Sequence, residues 1–237
     1  MYTIDCGEGG YLKELKFIKR EYFFMSDKLL MIFVKNLIPG MVKTRLAEDI
    51  GIDKALDVYQ ELVHHTHKIT KKIEVDKAVY YSEYVEIEDI WDNGDFKLTS
   101  QKGFKLGEKM SNAFDEAFDS YNKVIIIGSD CYDLSSKHIK LAFEMLEEND
   151  VVVGPAKDGG YYLLGMKEYL PQLFEDKKYS TDSVLNELLE EVEEMELSVY
   201  KLPTLNDIDT LADLKETGID WENLGVDAEV DDEGEAY

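Results

Sequence analysis

Apolar residues recur along this chain with two different periods, and the switching between them lays out its elements. Leu29–Lys35 opens on a continuous apolar run, as a strand buried on both faces requires. Between residues 53 and 73, Leu56, Tyr59, Leu62, Val63, Thr66 and Ile69 share one helical face. Lys77–Ser82 reads as a short strand. Leu106–Tyr121 carries Met110, Ala113, Phe114, Ala117, Phe118 and Tyr121 every three to four positions, a second amphipathic helix. Val124–Ile127 is a β-branched strand, residues 135–148 a helix with Ile139, Ala142, Phe143 and Leu146 on one side, and Val151–Val153 another strand. Thr181–Met195 reads as helix, Val199–Leu202 as strand and Asp209–Glu216 as a last short helix. Such alternation predicts the α/β class: a three-layer, open, mostly parallel sheet with helices on both faces.

The two ends break this pattern. Residues 1–24 mix glycine, charge and aromatics without a sustained period. They read as an N-terminal extension, either a gene-model artefact preceding a true start at Met25 or an amphipathic arm using Leu12, Leu15, Phe17 and Ile18. Residues 25–224 form the expected domain. Residues 225–237, with six carboxylates and no basic residue, read as a solvated, disordered acidic tail.

Composition narrows the function. The chain has 237 residues, 44% of them hydrophobic, compatible with one α/β domain and a sizeable core. Its longest early apolar run, Leu29–Val34, falls far short of the roughly 20 residues a bilayer span needs. With Lys13, Lys16, Lys19 and Arg20 interrupting any secretory core, a cytoplasmic protein without a membrane span is expected. Two cysteines, Cys6 and Cys131, are too few for a disulfide framework or a zinc site. The formal net charge of −25 argues against nucleic acid as a partner. An anionic ligand would then need local cations or metal. Arginine is scarce: of 26 basic residues only Arg20 and Arg45 are arginine.

In open α/β sheets ligands bind outside the carboxyl ends of the strands, and four segments there carry candidate chemistry. Lys35–Leu46 brings Lys35, Lys43 and Arg45 together around a Pro39-Gly40 turn, suited to phosphates though it is no Walker A loop. Gly128-Ser129-Asp130-Cys131-Tyr132-Asp133 ends an apolar strand on carboxylates; Asp130 is the better metal ligand and Asp133 the better helix cap. Gly154–Gly165 offers Asp158, Gly159, Gly160, Tyr161 and Tyr162 to a substrate, or else simply forms a hairpin turn. In Asn206–Thr210, Asp209 caps the last helix and leaves Asp207 for metal, or both bind metal. His64, His65 and His67 read as solvated residues rather than a metal site.

Together these segments resemble the glycosyltransferase-A-type family described as radical-SAM/selenodomain-associated transferases (DUF2064). That family is more distantly similar to phospholactate guanylyltransferases and molybdenum-cofactor nucleotidyltransferases. The resemblance covers about residues 28–216 and rests on Lys35-Asn36, Pro39-Gly40, Val42–Leu46, Leu106-Gly107-Glu108 with Met110, Gly128–Cys131, Asp158–Tyr161 and Asp207–Thr210. Leu37 and Tyr132 stand where relatives usually have proline, and Lys109 where they usually have arginine. The resemblance implies a nucleotide-diphospho-sugar transferase fold and Mg²⁺ (or Mn²⁺) on Asp130 and on Asp207 or Asp209. It further implies nucleotide binding by Lys35, Gly40, Lys43, Thr44, Arg45, Gln101 and Ser129, with Lys43, Arg45 and Asp130 catalytic. The expected ligands are a nucleoside triphosphate or sugar nucleotide and an acceptor. Nucleotidyl transfer is favoured over glycosyl transfer because the cationic loop suits a triphosphate and Asp130 is followed by Asp133 rather than an Asp-x-Asp. A non-catalytic sugar-nucleotide-binding module is the reading from a different class.

Overall fold

In the computed structural model, which describes residues 26–179 and 181–225, seven strands form one sheet in the order β3-β2-β1-β4-β6-β5-β7. The strands are β1 (Lys28–Val34), β2 (Asp76–Tyr81), β3 (Lys97–Ser100), β4 (Lys123–Ile127), β5 (Val151–Pro155), β6 (Tyr161–Met166) and β7 (Val199–Lys201). The helices are α1 (Thr44–Ile50), α2 (Ile52–Thr70), α3 (Leu106–Phe118), α4 (Ser136–Met145), α5 (Val184–Glu194) and α6 (Leu211–Lys215). All strand pairs are parallel except those of β6, which runs antiparallel to β4 and β5. The N-terminal extension and the acidic tail beyond Gly225 lie outside the described residues. Among the described residues no helix is long and apolar enough to cross a membrane.

The three layers follow from strand alternation. Leu30, Ile32 and Val34 of β1, Val79 of β2 and Ile125 and Ile127 of β4 face one core, against Leu46, Tyr59 and Leu62 of α1 and α2 and Ile139 and Phe143 of α4. Leu29 and Met31, Tyr80, Val124 and Ile126 face the other, against Met110 and Phe114 of α3 and Leu188 and Val192 of α5. Each such side chain withdrawn from water contributes roughly 1.5–3 kcal/mol. Both faces must therefore be apolar, and the strands read as unbroken hydrophobic runs.

Several expectations are corrected. Residues 161–166 are strand rather than loop, because Asp158-Gly159 turns the chain back as a β5–β6 hairpin, the alternative the Asp-Gly pair had left open. Thr44 and Arg45 belong to a helix, α1, instead of a loop. The helix expected from Thr181 begins at Val184. Asp133 does not cap α4: Ser135 does, in a capping box with His138. Nor does Asp209 cap α6. Thr210 is the N-cap, and Asp213 accepts from the backbone of both Asp209 and Thr210. His65 and His67 are half-buried rather than solvated. His65 Nε2 lies 2.8 Å from the Leu134 carbonyl oxygen, and the His67 ring packs edge-on against Trp91 at 5.1 Å.

Candidate active site

The carboxyl ends of β1, β2 and β4, with the β5–β6 turn and the start of β6, open onto a cavity of about 530 Å³. That volume lies within the usual range for small-molecule sites. Its floor is assembled by long-range backbone contacts. The N–H of Ile208 donates to the Asp130 carbonyl at 3.0 Å, which sets the Asp207–Asp209 segment beside the end of β4. The N–H of Leu205 donates to the Pro155 carbonyl and that of Lys157 to the Leu205 carbonyl, tying the β5–β6 turn to the same place. Asp130, Asp158, Asp207 and Asp209 all line the cavity.

One lysine holds two of these carboxylates. Lys43 Nζ lies 2.7 Å from Asp130 Oδ1 and 3.3 Å from Asp209 Oδ1, with its side chain only 2% exposed. Lys43 itself adopts a left-handed backbone (φ 46°), strain that a β-carbon residue tolerates only when its surroundings fix it. Burial alone would lower the Lys43 pKa, but Asp130 and Asp209 outweigh it and the shift is upward. Burial likewise opposes ionisation of Asp130, yet Lys43 and Lys35 hold its carboxyl below the usual range. Asp130 Oδ1 is thus buried directly against the Lys43 ammonium.

Asp207 is placed differently. Its Oδ1 is buried with no hydrogen-bond partner. Burial, together with the charges of Asp130, Asp158 and Asp209, pushes its carboxyl up to about 7 despite Lys43. A buried carboxylate without a partner is costly, and its cost falls when a cation joins it. Among the described residues no three His, Cys, Asp or Glu converge on one metal position. However, Mg²⁺ commonly takes only one or two protein carboxylates and completes its shell with water and phosphate oxygens. The unpartnered oxygen of Asp207, on the same floor as the Asp130 carboxylate, fits that chemistry.

Other predicted residues divide into those that line the cavity and those that do not. Lys35, Gln101, Ser129, Gly160 and Tyr161 line it; Gly40, Lys43, Thr44, Arg45 and Gly159 do not. Gln101 Nε2 donates to the Tyr80 carbonyl at 3.0 Å and more weakly to that of Val34. Ser129 Oγ is 2.8 Å from Tyr59 Oη, and Tyr59 Oη also accepts the Lys35 N–H at 2.7 Å. Tyr59, fully buried on α2, thus pins the ends of β1 and β4 together; the sequence pattern marked it only as part of a helical face. Asn36 is a second fixing residue. Its Nδ2 donates to the Tyr84 carbonyl and its Oδ1 accepts from the Glu83 N–H, which shapes the rim after β2.

Two consequences can be measured. Arg45 is exposed on α1, away from the lining residues, so Arg45→Ala is expected to change nucleotide affinity by less than about threefold. A loss of about 1.5–3 kcal/mol, the range of a charge-assisted hydrogen bond, would return Arg45 to the site. Gly159 has φ +90°, and a Cβ there would collide with the Asp182 carbonyl oxygen. Gly159→Ala is therefore expected to cost about 2 kcal/mol in denaturant unfolding, because both the backbone and the 181–183 segment must shift.

Fold and site together define an α/β transferase of the nucleotide-diphospho-sugar transferase type. The relatives agree with that class. The family described as "Uncharacterized protein conserved in bacteria (DUF2064)" is matched by residues 65–181, and the chain belongs to it. A solved structure from Desulfovibrio desulfuricans G20, assigned provisionally to the nucleotide-diphospho-sugar transferases, is 31% identical with a TM-score of 0.75, covering 85% of this chain and 92% of that one. A 2-phospho-L-lactate guanylyltransferase from Methanocaldococcus fervens is 28% identical over 80% of this chain and 87% of its own. A second from another Methanocaldococcus strain is 29% identical, and the match spans only 59% of that relative's length. The inositol-1-phosphate CTP transferase of T. maritima, at 17% identity and a TM-score of 0.54, shares the fold.

Proposed function

We propose that this protein is a Mg²⁺- or Mn²⁺-dependent nucleotidyltransferase, moving a nucleoside monophosphate from a triphosphate to an acceptor oxygen. The observation that carries it is the buried, unpartnered carboxyl of Asp207 beside Asp130 on the cavity floor. Both curated relatives named above are guanylyltransferases, which favours nucleotidyl over glycosyl transfer.

Asp130, with Asp207 or Asp209, would hold the metal, which when bound would neutralise charge on the triphosphate. Lys43 favours the ionised form of Asp130 and holds both Asp130 and Asp209 in place. Lys35, exposed at the end of β1, supplies a positive charge on the cavity wall for the phosphates. Gln101 spends its amide protons on the ends of β1 and β2, leaving its Oε1 to accept from the base. In the reaction an acceptor oxygen bonds to the α-phosphorus, the bond to the bridging oxygen of the β-phosphate breaks, and pyrophosphate leaves. The work asked of the protein is mainly positioning and charge stabilisation.

Glycosyl transfer is the second reading, favoured by the class assigned to the Desulfovibrio structure. Thermal shifts with the four nucleoside triphosphates and with sugar nucleotides, each with and without Mg²⁺, separate the two, since selective ligands stabilise by mass action. Nucleotidyl transfer requires a triphosphate to give the largest Mg²⁺-dependent shift. A larger shift with a sugar nucleotide would overturn it.

A further inference from the structure

Every large apolar side chain that stands exposed among the described residues falls between Leu37 and Leu106. These side chains sit on the loops leaving β1, β2 and β3 or on the helix starts nearby: Leu37 and Met41 after β1, Tyr84 and Ile87 after β2, Phe104 and Leu106 after β3. Single exposed apolar residues are ordinary, but these share one end of the sheet, and their loops are tied side by side. Asn36 Nδ2 donates to the Tyr84 carbonyl at 2.9 Å, and Lys109 Nζ donates to the Ser82 carbonyl at 3.4 Å. Met41, Phe104 and Leu106 also line the cavity, so the apolar residues form a rim along one side of its mouth. Apolar surface gathered in this way marks a site of contact. Its charge narrows what covers it. From Ala78 to Phe96 the chain has six carboxylates and no basic residue, and Glu83, Glu86 and Glu88 alternate with the apolar positions.

A second copy of this chain would set that acidic rim against itself on a protein of net charge −25. Anionic lipid is repelled in the same way. A basic, apolar segment fits, and the chain carries one ahead of the described residues. Tyr11–Arg20 has Lys13, Lys16, Lys19 and Arg20 against a single carboxylate, Glu14, with Leu12, Leu15 and Ile18 at a spacing of three. The reach is sufficient. β1 carries the chain from Lys28 towards the rim over seven residues, roughly 23 Å at the usual strand rise. Ten extended residues span roughly 33–36 Å. We propose that residues 11–20 dock on this rim within the same chain and cover one side of the cavity mouth. Leu12, Leu15 and Ile18 then meet the apolar loops, and the cations face Glu83, Glu86 and Glu88. Tethering gives the contact an effective concentration of about millimolar, so modest complementarity is enough. Such docking holds whichever group the site transfers.

Zero-length carbodiimide cross-linking of the full chain, read by peptide mass spectrometry, tests this. Joins from Lys13, Lys16 or Lys19 to Glu83, Glu86 or Glu88 are expected. In an equal mixture of ¹⁴N- and ¹⁵N-labelled chains, both peptides of each join should carry the same isotope. The Lys28–Glu147 pair, 2.8 Å apart within the fold, supplies an internal reference join. Leu15→Ser with Ile18→Ser, which leaves the charge unchanged, should lower the yield about fivefold or more relative to that reference, because apolar burial seats the segment. Ile87→Ser, at a position 71% exposed and outside the core, should lower it about threefold. Absence of these joins while the reference forms would overturn the proposal. Joins of mixed isotope would place the segment on a second copy and overturn docking within the chain. A yield that neither set of serine substitutions lowers would reveal only a loose basic tail drawn to acidic residues, and would overturn it too.

Discussion

Lys43→Met is expected to destabilise the ligand-free protein by about 3–5 kcal/mol, the range for removing one partner of a buried ion pair. The side chain is 2% exposed and stands between Asp130 and Asp209. Methionine fills a similar volume, so the loss is electrostatic rather than a cavity. Without the ammonium, Asp130, Asp207 and Asp209 share one floor with no buried cation, and self-repulsion adds to desolvation. Mg²⁺ alone should then stabilise the variant more than the parent in thermal melts, because it replaces the missing charge. Equal stabilisation of the two would mean that Lys43 and the metal do not act on the same carboxylates.

Asp207→Asn is expected to do the opposite to stability while removing function. The Asp207 carboxyl is raised from 3.8 to about 7 in the fold. A group whose folded pKa is raised contributes its stability fully below the unfolded pKa, and that contribution is lost as pH climbs through the folded pKa. In metal-free buffer the parent should therefore weaken between about pH 4 and pH 7. The loss should reach a few kcal/mol, since a tenfold change in proton affinity corresponds to about 1.4 kcal/mol. Asparagine has nearly the same shape and no charge. The variant should match the parent near pH 4 and exceed it at pH 8, as read by denaturant midpoints at the two pH values. A parent whose stability is flat over this window would show that Asp207 is ionised throughout. Mg²⁺ should restore the parent at pH 8 and leave the variant unmoved.

The same comparison shows why Asp130→Asn is the less clean test. In the sequence the nearest basic residues on either side of Asp130 are Lys123 and Lys137. The structure supplies Lys43, 87 positions earlier in the chain, and asparagine at 130 would leave that lysine with Asp209 alone. Nothing in local spacing encodes such a contact. It arises because β1 and β4 are neighbours in the sheet, so that the loops leaving them meet.

What was legible follows the same division. β1 and β4 stood out as β-branched and aliphatic runs because strands covered on both faces have no polar side to show. α2 and α3 stood out by their helical stripe. By contrast β3 is a four-residue edge strand of mixed character, Lys97-Leu98-Thr99-Ser100, and α1 is a seven-residue helix without a side-chain cap; neither carries enough residues for a period to emerge. Asp130, Asp207, Asp209, Asp158, Gly160, Tyr161, Lys35, Gln101 and Ser129 were named from the sequence, and all line one cavity. Tyr59, Asn36 and Asp213, which fix the site's walls, were missed as fixing residues because their roles lie in hydrogen bonds that pattern does not reveal.

The central claim is that Asp207 and its neighbours hold a metal on which nucleotide binding depends. Calorimetric titration of the best-stabilising nucleoside triphosphate into parent and Asp207→Asn, in Mg²⁺ and in EDTA, tests it most directly. The parent should bind at least tenfold more tightly in Mg²⁺ than in EDTA, and the variant should bind equally weakly in both. A parent indifferent to Mg²⁺, or a variant that keeps the full metal-dependent gain, would contradict it.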